Sequence, residues 1–161
     1  IDLTAIILNN SVYGMTGGQY SPTTPYGMRS TTTVYSNIEQ DFKISELAVI
    51  AGAVFVGRGT VYHAKLLDSL IEKALLKKGF SVVEVIAHCH TQYGRQNRLG
   101  SAVEMMEWQR DHAVPVEKAL KMKPEELKDK ILTGVLIDKE LPVFQDEYEM
   151  IRERAKEAIA H

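Results

Sequence analysis

The sequence predicts an α/β fold: a mostly parallel sheet with helices on both faces. Short apolar runs and amphipathic helical patterns follow one another as strand, helix, strand, helix, strand, the order of a parallel sheet covered by helices. Polar segments follow the first and last of these strands, at the ends where open parallel sheets bind ligands. A length of 161 residues, 45% hydrophobic and 25% charged, is enough for one compact domain with a real core.

Leu3 to Leu8 is a short continuous apolar run, as in a strand buried on both faces. It ends at the turn-favouring pair Asn9-Asn10. Gly14 to Lys43 lacks core periodicity and holds Gly17-Gly18, Pro22, Pro25 and Gly27. Its aromatics (Tyr13 just before it, then Tyr20, Tyr26 and Tyr35) argue against plain disorder, so the stretch reads as a functional loop. Ser45 to Gly52 reads as a short helix and Ala53 to Val56 as a second strand. Thr60 is the expected N-cap of a helix carrying Leu66, Leu67, Leu70, Ile71, Ala74 and Leu75 on one face and stopped by Gly79. Ser81 to Ala87 is a third strand, and His88 to Gly100 a polar loop after it. Ser101 and Glu104 have capping-box spacing for a helix to about Asp111. Pro124-Glu125-Glu126 suits a first helical turn, Ile131 to Ile137 is a weaker strand, and Asp146 to Ala160 is a charged amphipathic helix. One domain over 1–161 is expected, with roughly 101–161 a helical extension and the last 50 residues polar enough to contact another subunit.

The formal net charge of -2 offers nothing to attract nucleic acid or an acidic membrane surface. Apolar runs such as Ala5–Leu8 are far short of the roughly 20 residues that span a bilayer. The chain opens almost directly on a strand without an initiator Met or a secretory leader, as a fragment or trimmed product would. One cysteine, Cys89, excludes an internal disulfide framework and suits a reducing cytoplasm.

Two segments carry candidate chemistry. The first is Asn9 to Gln19. On its own, Asn-Asn after a strand is a turn. With Gly14, Gly17, Gly18 and Thr16 behind it, the segment could bring backbone close to a phosphate and give oxygen ligands to Mg²⁺. The second is His88-Cys89-His90 and the residues to Asn97. Alternate residues of an extended chain point opposite ways, so His-Cys-His does not converge on a zinc ion. Met105, Met106 and Trp108 read as core or subunit interface. Glu46, Glu84 and His63 are ionisable groups that no spacing singles out.

The string Asn10-Ser11-Val12-Tyr13-Gly14-Met15-Thr16-Gly17-Gly18-Gln19, followed by Ser21-Pro22-Thr23-Thr24-Pro25, resembles the second half of the thiamine-diphosphate motif of 2-oxoacid:ferredoxin oxidoreductase β subunits. The resemblance implies a thiamine-diphosphate-binding fold whose N-terminal part is missing here. It implies that Asn10 gives a side-chain oxygen and Val12 a main-chain carbonyl to Mg²⁺. Tyr13, Gly14, Met15 and Thr16 would border the diphosphate, with Thr16 as hydrogen-bond donor. The acidic metal ligand belongs to an upstream Gly-Asp-Gly that this sequence does not contain. Cys89 would be the fourth ligand of a 4Fe–4S cluster, the other three lying outside this sequence.

Tyr93-Gly94-Arg95-Gln96-Asn97 resembles the 2-oxoglutarate branch of the family. A distal substrate carboxylate suits a bidentate arginine, for which Arg95 is the first candidate and Arg29 the second. The alternative for Arg95 is bracing the loop. The activity implied is CoA-dependent oxidative decarboxylation of 2-oxoglutarate to succinyl-CoA, with electrons passing through the cluster to ferredoxin. The partners implied are an α subunit, with γ and δ subunits common in the family. A pyruvate or branched-chain 2-oxoacid enzyme, or a non-catalytic α/β assembly module, are the alternatives.

Overall fold

The computed structural model describes residues 1–159. A five-stranded sheet forms its centre, in the order β1 (Leu3–Asn9), β5 (Phe80–Ile86), β4 (Phe55–Thr60), β7 (Ile131–Asp138), β6 (Ala113–Pro115). β1, β5 and β4 run parallel, β7 runs antiparallel to β4, and β6 lies parallel to β7. The expectation of a mostly parallel sheet is met.

Alternation along β4 and β5 explains why both faces are covered. Phe55, Val83 and Val85 pack under α2 (Ala64–Leu76) with Leu70 and Ala74. Val56 and Val82 point the other way and pack with Ala48 of α1 (Ile44–Ile50). Gly57 and Gly59 also face α2: a Cβ on Gly57 would lie 3.1 Å from Leu70 Cδ2, and one on Gly59 3.2 Å from Leu67 Cδ1. The missing side chains let α2 sit directly on the strand.

Several expectations need correction. β1 is an edge strand, with Leu3, Ile6 and Leu8 exposed, so it is not buried on both faces. The second strand does not stop at Val56 but runs on through Gly57-Arg58-Gly59 to Thr60. Thr60 therefore ends a strand, and the residue before α2 is His63, whose Nδ1 lies 2.9 Å from Thr60 Oγ1. Pro124–Leu127 is a single 3₁₀ turn. The segment after residue 101 is not wholly helical, because β6 and β7 join the sheet and β7 pairs with β4. Its helices are α4 (Ala102–His112), the short α5 (Val116–Ala119) and α6 (Phe144–Ile159). The Ser101/Glu104 capping box on α4 is present as expected. α6 begins ahead of Asp146, and Ala160, the expected end of that helix, lies outside the described residues. No helix among the described residues is long and apolar enough to cross a membrane.

Candidate functional site

β1 and β5 are in parallel register from Leu3↔Phe80 to Asn9↔Ile86, so both reach their C-terminal ends at the same level. The N–H of Ala87 donates to the Asn9 carbonyl at 2.9 Å and carries the pairing one step further. Asn10 and His88-Cys89 thus leave the sheet side by side. A cavity of about 680 Å³ opens at this end, with Asn10, Ser11, His88 and Tyr93 in its wall.

Ser11 takes a left-handed conformation (φ 65°) and turns the chain into a small hairpin of β2 (Val12–Tyr13) and β3 (Gln19–Tyr20). Val12 is buried and anchors it, whereas Tyr13, Met15 and Thr16 are exposed. The tip is set by close packing. A Cβ on Gly14 would lie 3.1 Å from Cys89 Sγ and 3.4 Å from Asn10 Nδ2. One on Gly18 (φ +83°) would lie 2.7 Å from Gln92 Cβ. The glycines fasten the hairpin to the segment carrying Cys89.

After Cys89 the chain makes a π-helical turn (His90–Gly94) and the short helix α3 (Arg95–Asn97). Cys89 is a free, half-buried thiol whose Sγ lies 3.6 Å from Thr91 Oγ1. Burial pushes this thiol up, but main-chain N–H groups of Tyr93, Gln92 and Thr91, with the Thr91 hydroxyl, outweigh it and bring it below its ordinary value. The turn is therefore built to favour a thiolate. Burial first, then Asp41, raises the Tyr93 phenol to about 12, while a hydrogen bond with Ser11 opposes them, so it stays protonated. Burial and the neighbouring His90 lower His88, whose Nδ1 is buried without a partner among the described residues.

Asn10 is half-buried beside Gly14 and on the cavity wall. The Thr16 hydroxyl is engaged with Gln19 Oε1 at 2.6 Å, and Gln19 Nε2 returns a bond to the Thr16 carbonyl at 2.8 Å. Thr16 is thus part of the hairpin's own bracing. Arg95 and Arg29 are both exposed, and neither forms an ion pair among the described residues. Asn97, which sequence reasoning did not single out, clasps the two segments. Its Oδ1 accepts from Arg29 N–H at 2.7 Å, and its Nδ2 donates to the Arg29 and Tyr93 carbonyls at 2.9 Å. The long loop is ordered by the same kind of bond: buried Thr24 donates to the Ser11 carbonyl at 2.5 Å, and buried Asn37 donates to those of Thr24 and Glu39 at 2.8 Å. No periodicity records such bonds.

A mostly parallel sheet with a glycine-bearing loop at the C-terminal ends of its strands places this chain among the open α/β proteins, which bind ligands at that end. Residues 1–85 match the family model of the thiamine pyrophosphate enzyme C-terminal TPP binding domain, and the chain belongs to that family. It is similar to the 2-oxoglutarate synthase subunit KorB of Methanothermobacter marburgensis, 46% identical over 156 residues that make up 96% of this chain and 55% of that protein. It is similar also to the subunit of the same name from Methanocaldococcus jannaschii, 42% identical over 97% of this chain and 58% of that one. Among solved structures it resembles the 2-oxoglutarate:ferredoxin oxidoreductase from Magnetococcus marinus with 2-oxoglutarate, coenzyme A and succinyl-CoA bound. That likeness has a TM-score of 0.79 and 25% identity, and covers 97% of this chain and 54% of the other. The chain spans about half the length of the relatives it matches.

Proposed function

We propose that this chain is part of the thiamine-diphosphate-binding β subunit of a 2-oxoglutarate:ferredoxin oxidoreductase. The observation that carries the reading is the contact of two motifs distant in sequence, with the Gly14 backbone packed against both Asn10 and Cys89 Sγ. A diphosphate loop and a cysteine sulfur held together in this way suit an enzyme that oxidises a substrate on one cofactor and passes electrons to another. The KorB relatives, 2-oxoglutarate synthase subunits by name, support the choice of substrate.

The donor set fits the cofactors the family implies. The Asn10 side-chain oxygen and the Val12 carbonyl are hard oxygen ligands of the kind Mg²⁺ takes. Gly14 lets the loop pack against Cys89 and Asn10, and Tyr13, Gly14, Met15 and Thr16 would border the diphosphate. The main-chain N–H groups around Cys89 suit a thiolate ligand of an iron–sulfur cluster, for which this chain would supply one of four. When bound, thiamine diphosphate supplies the nucleophilic carbon at which the 2-oxoacid loses carbon dioxide. The chain's own residues position it: Asn10 and Val12 hold the metal, and the hairpin keeps that site beside Cys89. Arg95 and Arg29, exposed and free of ion pairs among the described residues, are the candidates for the distal carboxylate of 2-oxoglutarate. The reading implies an α subunit, with γ and δ subunits where present, ferredoxin and CoA as partners, and a cytoplasmic location.

The test is CoA-dependent reduction of a viologen dye by the intact, anaerobically assembled complex. Faster reduction with 2-oxoglutarate than with pyruvate is the expected result. A preference for pyruvate or a branched-chain 2-oxoacid would keep the enzyme class and overturn the substrate. No reduction with any 2-oxoacid would leave an α/β assembly module.

A further inference from the structure

Glu84 lies in β5 with only 3% of its surface exposed, and hydrogen bonds engage both of its oxygens. Asn9 Nδ2 donates to Oε1 at 2.9 Å, while Ser45 Oγ and Arg58 Nε donate to Oε2 at 2.5 and 2.9 Å. Asn9 directly precedes Asn10. Its other end, Oδ1, accepts from the Ser11 N–H at 3.2 Å. One planar amide therefore joins a buried carboxylate to the residue whose left-handed φ of 65° turns the chain into the hairpin. A non-glycine residue adopts that conformation at a cost, so it has to be held in place.

We propose that Glu84 is a positioning residue for the metal-binding loop, acting through the Asn9 amide to fix where the Asn10 side chain and the Val12 carbonyl point. The inference rests on the preceding reading only in taking this loop to hold Mg²⁺ and thiamine diphosphate. An ionised carboxylate offers acceptors on both sides, so Asn9 presents its NH₂ to Glu84 and its oxygen to Ser11. A glutamine at position 84 has a single oxygen, which Arg58 and Ser45 demand. Its NH₂ would then face the NH₂ of Asn9 and drive that amide to flip. A flipped amide turns a donor toward the Ser11 N–H and undoes the turn. Neither Asn9 nor Glu84 touches the metal in this scheme; both act through Ser11.

The experiment is an Mg²⁺ titration of the intact complex at saturating thiamine diphosphate, followed by calorimetry. Glu84→Gln should raise the Mg²⁺ dissociation constant by about tenfold, the usual effect of losing a partner that orients a ligand. In an Asn9→Ser background the same change should have no further effect, because a hydroxyl accepts from the Ser11 N–H whatever it faces on its other side. An unchanged constant in Glu84→Gln, or the same loss in both backgrounds, would overturn the proposal, the latter marking a general structural effect. If Glu84→Gln gives no cooperative melting transition, Asn9→Ala replaces it, since it leaves the Glu84, Arg58 and Ser45 bonds intact. Wild-type affinity in that variant would equally overturn the idea. If the wild-type complex itself binds no Mg²⁺–thiamine diphosphate, the reading of the loop falls, and this inference with it.

Discussion

Gly14 and Cys89 come from opposite halves of the chain and meet because β1 and β5 end in register. Each motif is legible in the sequence, but their contact is not, since it depends on which strands neighbour each other. Glu84 shows the same limit more sharply. In the sequence it is one acidic residue in a β-branched run. In the fold it is the centre of a buried polar cluster with Asn9, Ser45 and Arg58, and Arg58 reaches on to Glu46 at 2.9 Å. Burial alone would raise its carboxyl. The Arg58 charge and the bonds from Ser45, Asn9 and Arg58 outweigh burial and hold it below the usual carboxylate range. Its contribution to stability is therefore fully present above the carboxylate range of the unfolded chain. It is lost as pH falls through the depressed folded value. Urea unfolding at neutral and acid pH should show a smaller acid-induced loss of stability in Glu84→Gln than in the wild type. Equal losses would mean that Glu84 titrates alike in the folded and unfolded chains.

Among the elements, β4 and α2 show where periodicity misleads. The apolar run stops at Val56, yet the strand continues through Gly57-Arg58-Gly59 to Thr60. The glycines serve to admit Leu67 and Leu70 against the strand. Where a side-chain code is local, as in the Ser101/Glu104 capping box or in Leu66, Leu67, Leu70, Ile71 and Ala74 of the expected stripe, sequence and structure agree, whereas Leu75, the last residue of that stripe, is exposed. Leu70 is fully buried between Gly57, Phe55 and the neighbouring helix turn. Glycines cannot fill a void, so Leu70→Ala should cost about 2–5 kcal/mol. The midpoint of urea unfolding measures it. A loss below about 1 kcal/mol would mean that α2 settles onto the sheet after the truncation.

Over the whole molecule, the succession of strands and helices and the covering of the sheet on both faces follow from runs that the sequence displays openly, whereas the order β1, β5, β4 does not. Nor does the position of β7. Nothing in Ile131–Asp138 announces that it will pair antiparallel with β4, because the choice depends on which edge the first three strands leave free. The absence of core periodicity in the long loop was legible in its composition, while its order depends on buried threonine, serine and asparagine bonds.

The other end of the sheet is different in character. Among the described residues β1 pairs on one side only, and Leu3, Ile6 and Leu8 are exposed along it. Unpaired main-chain groups beside apolar side chains are a template on which a further strand can grow. Expressed alone, the chain should self-associate in a concentration-dependent way, and light scattering should fall when lysine replaces Ile6. The strand that carries the chain into the Asn10 loop would then also govern its colloidal behaviour.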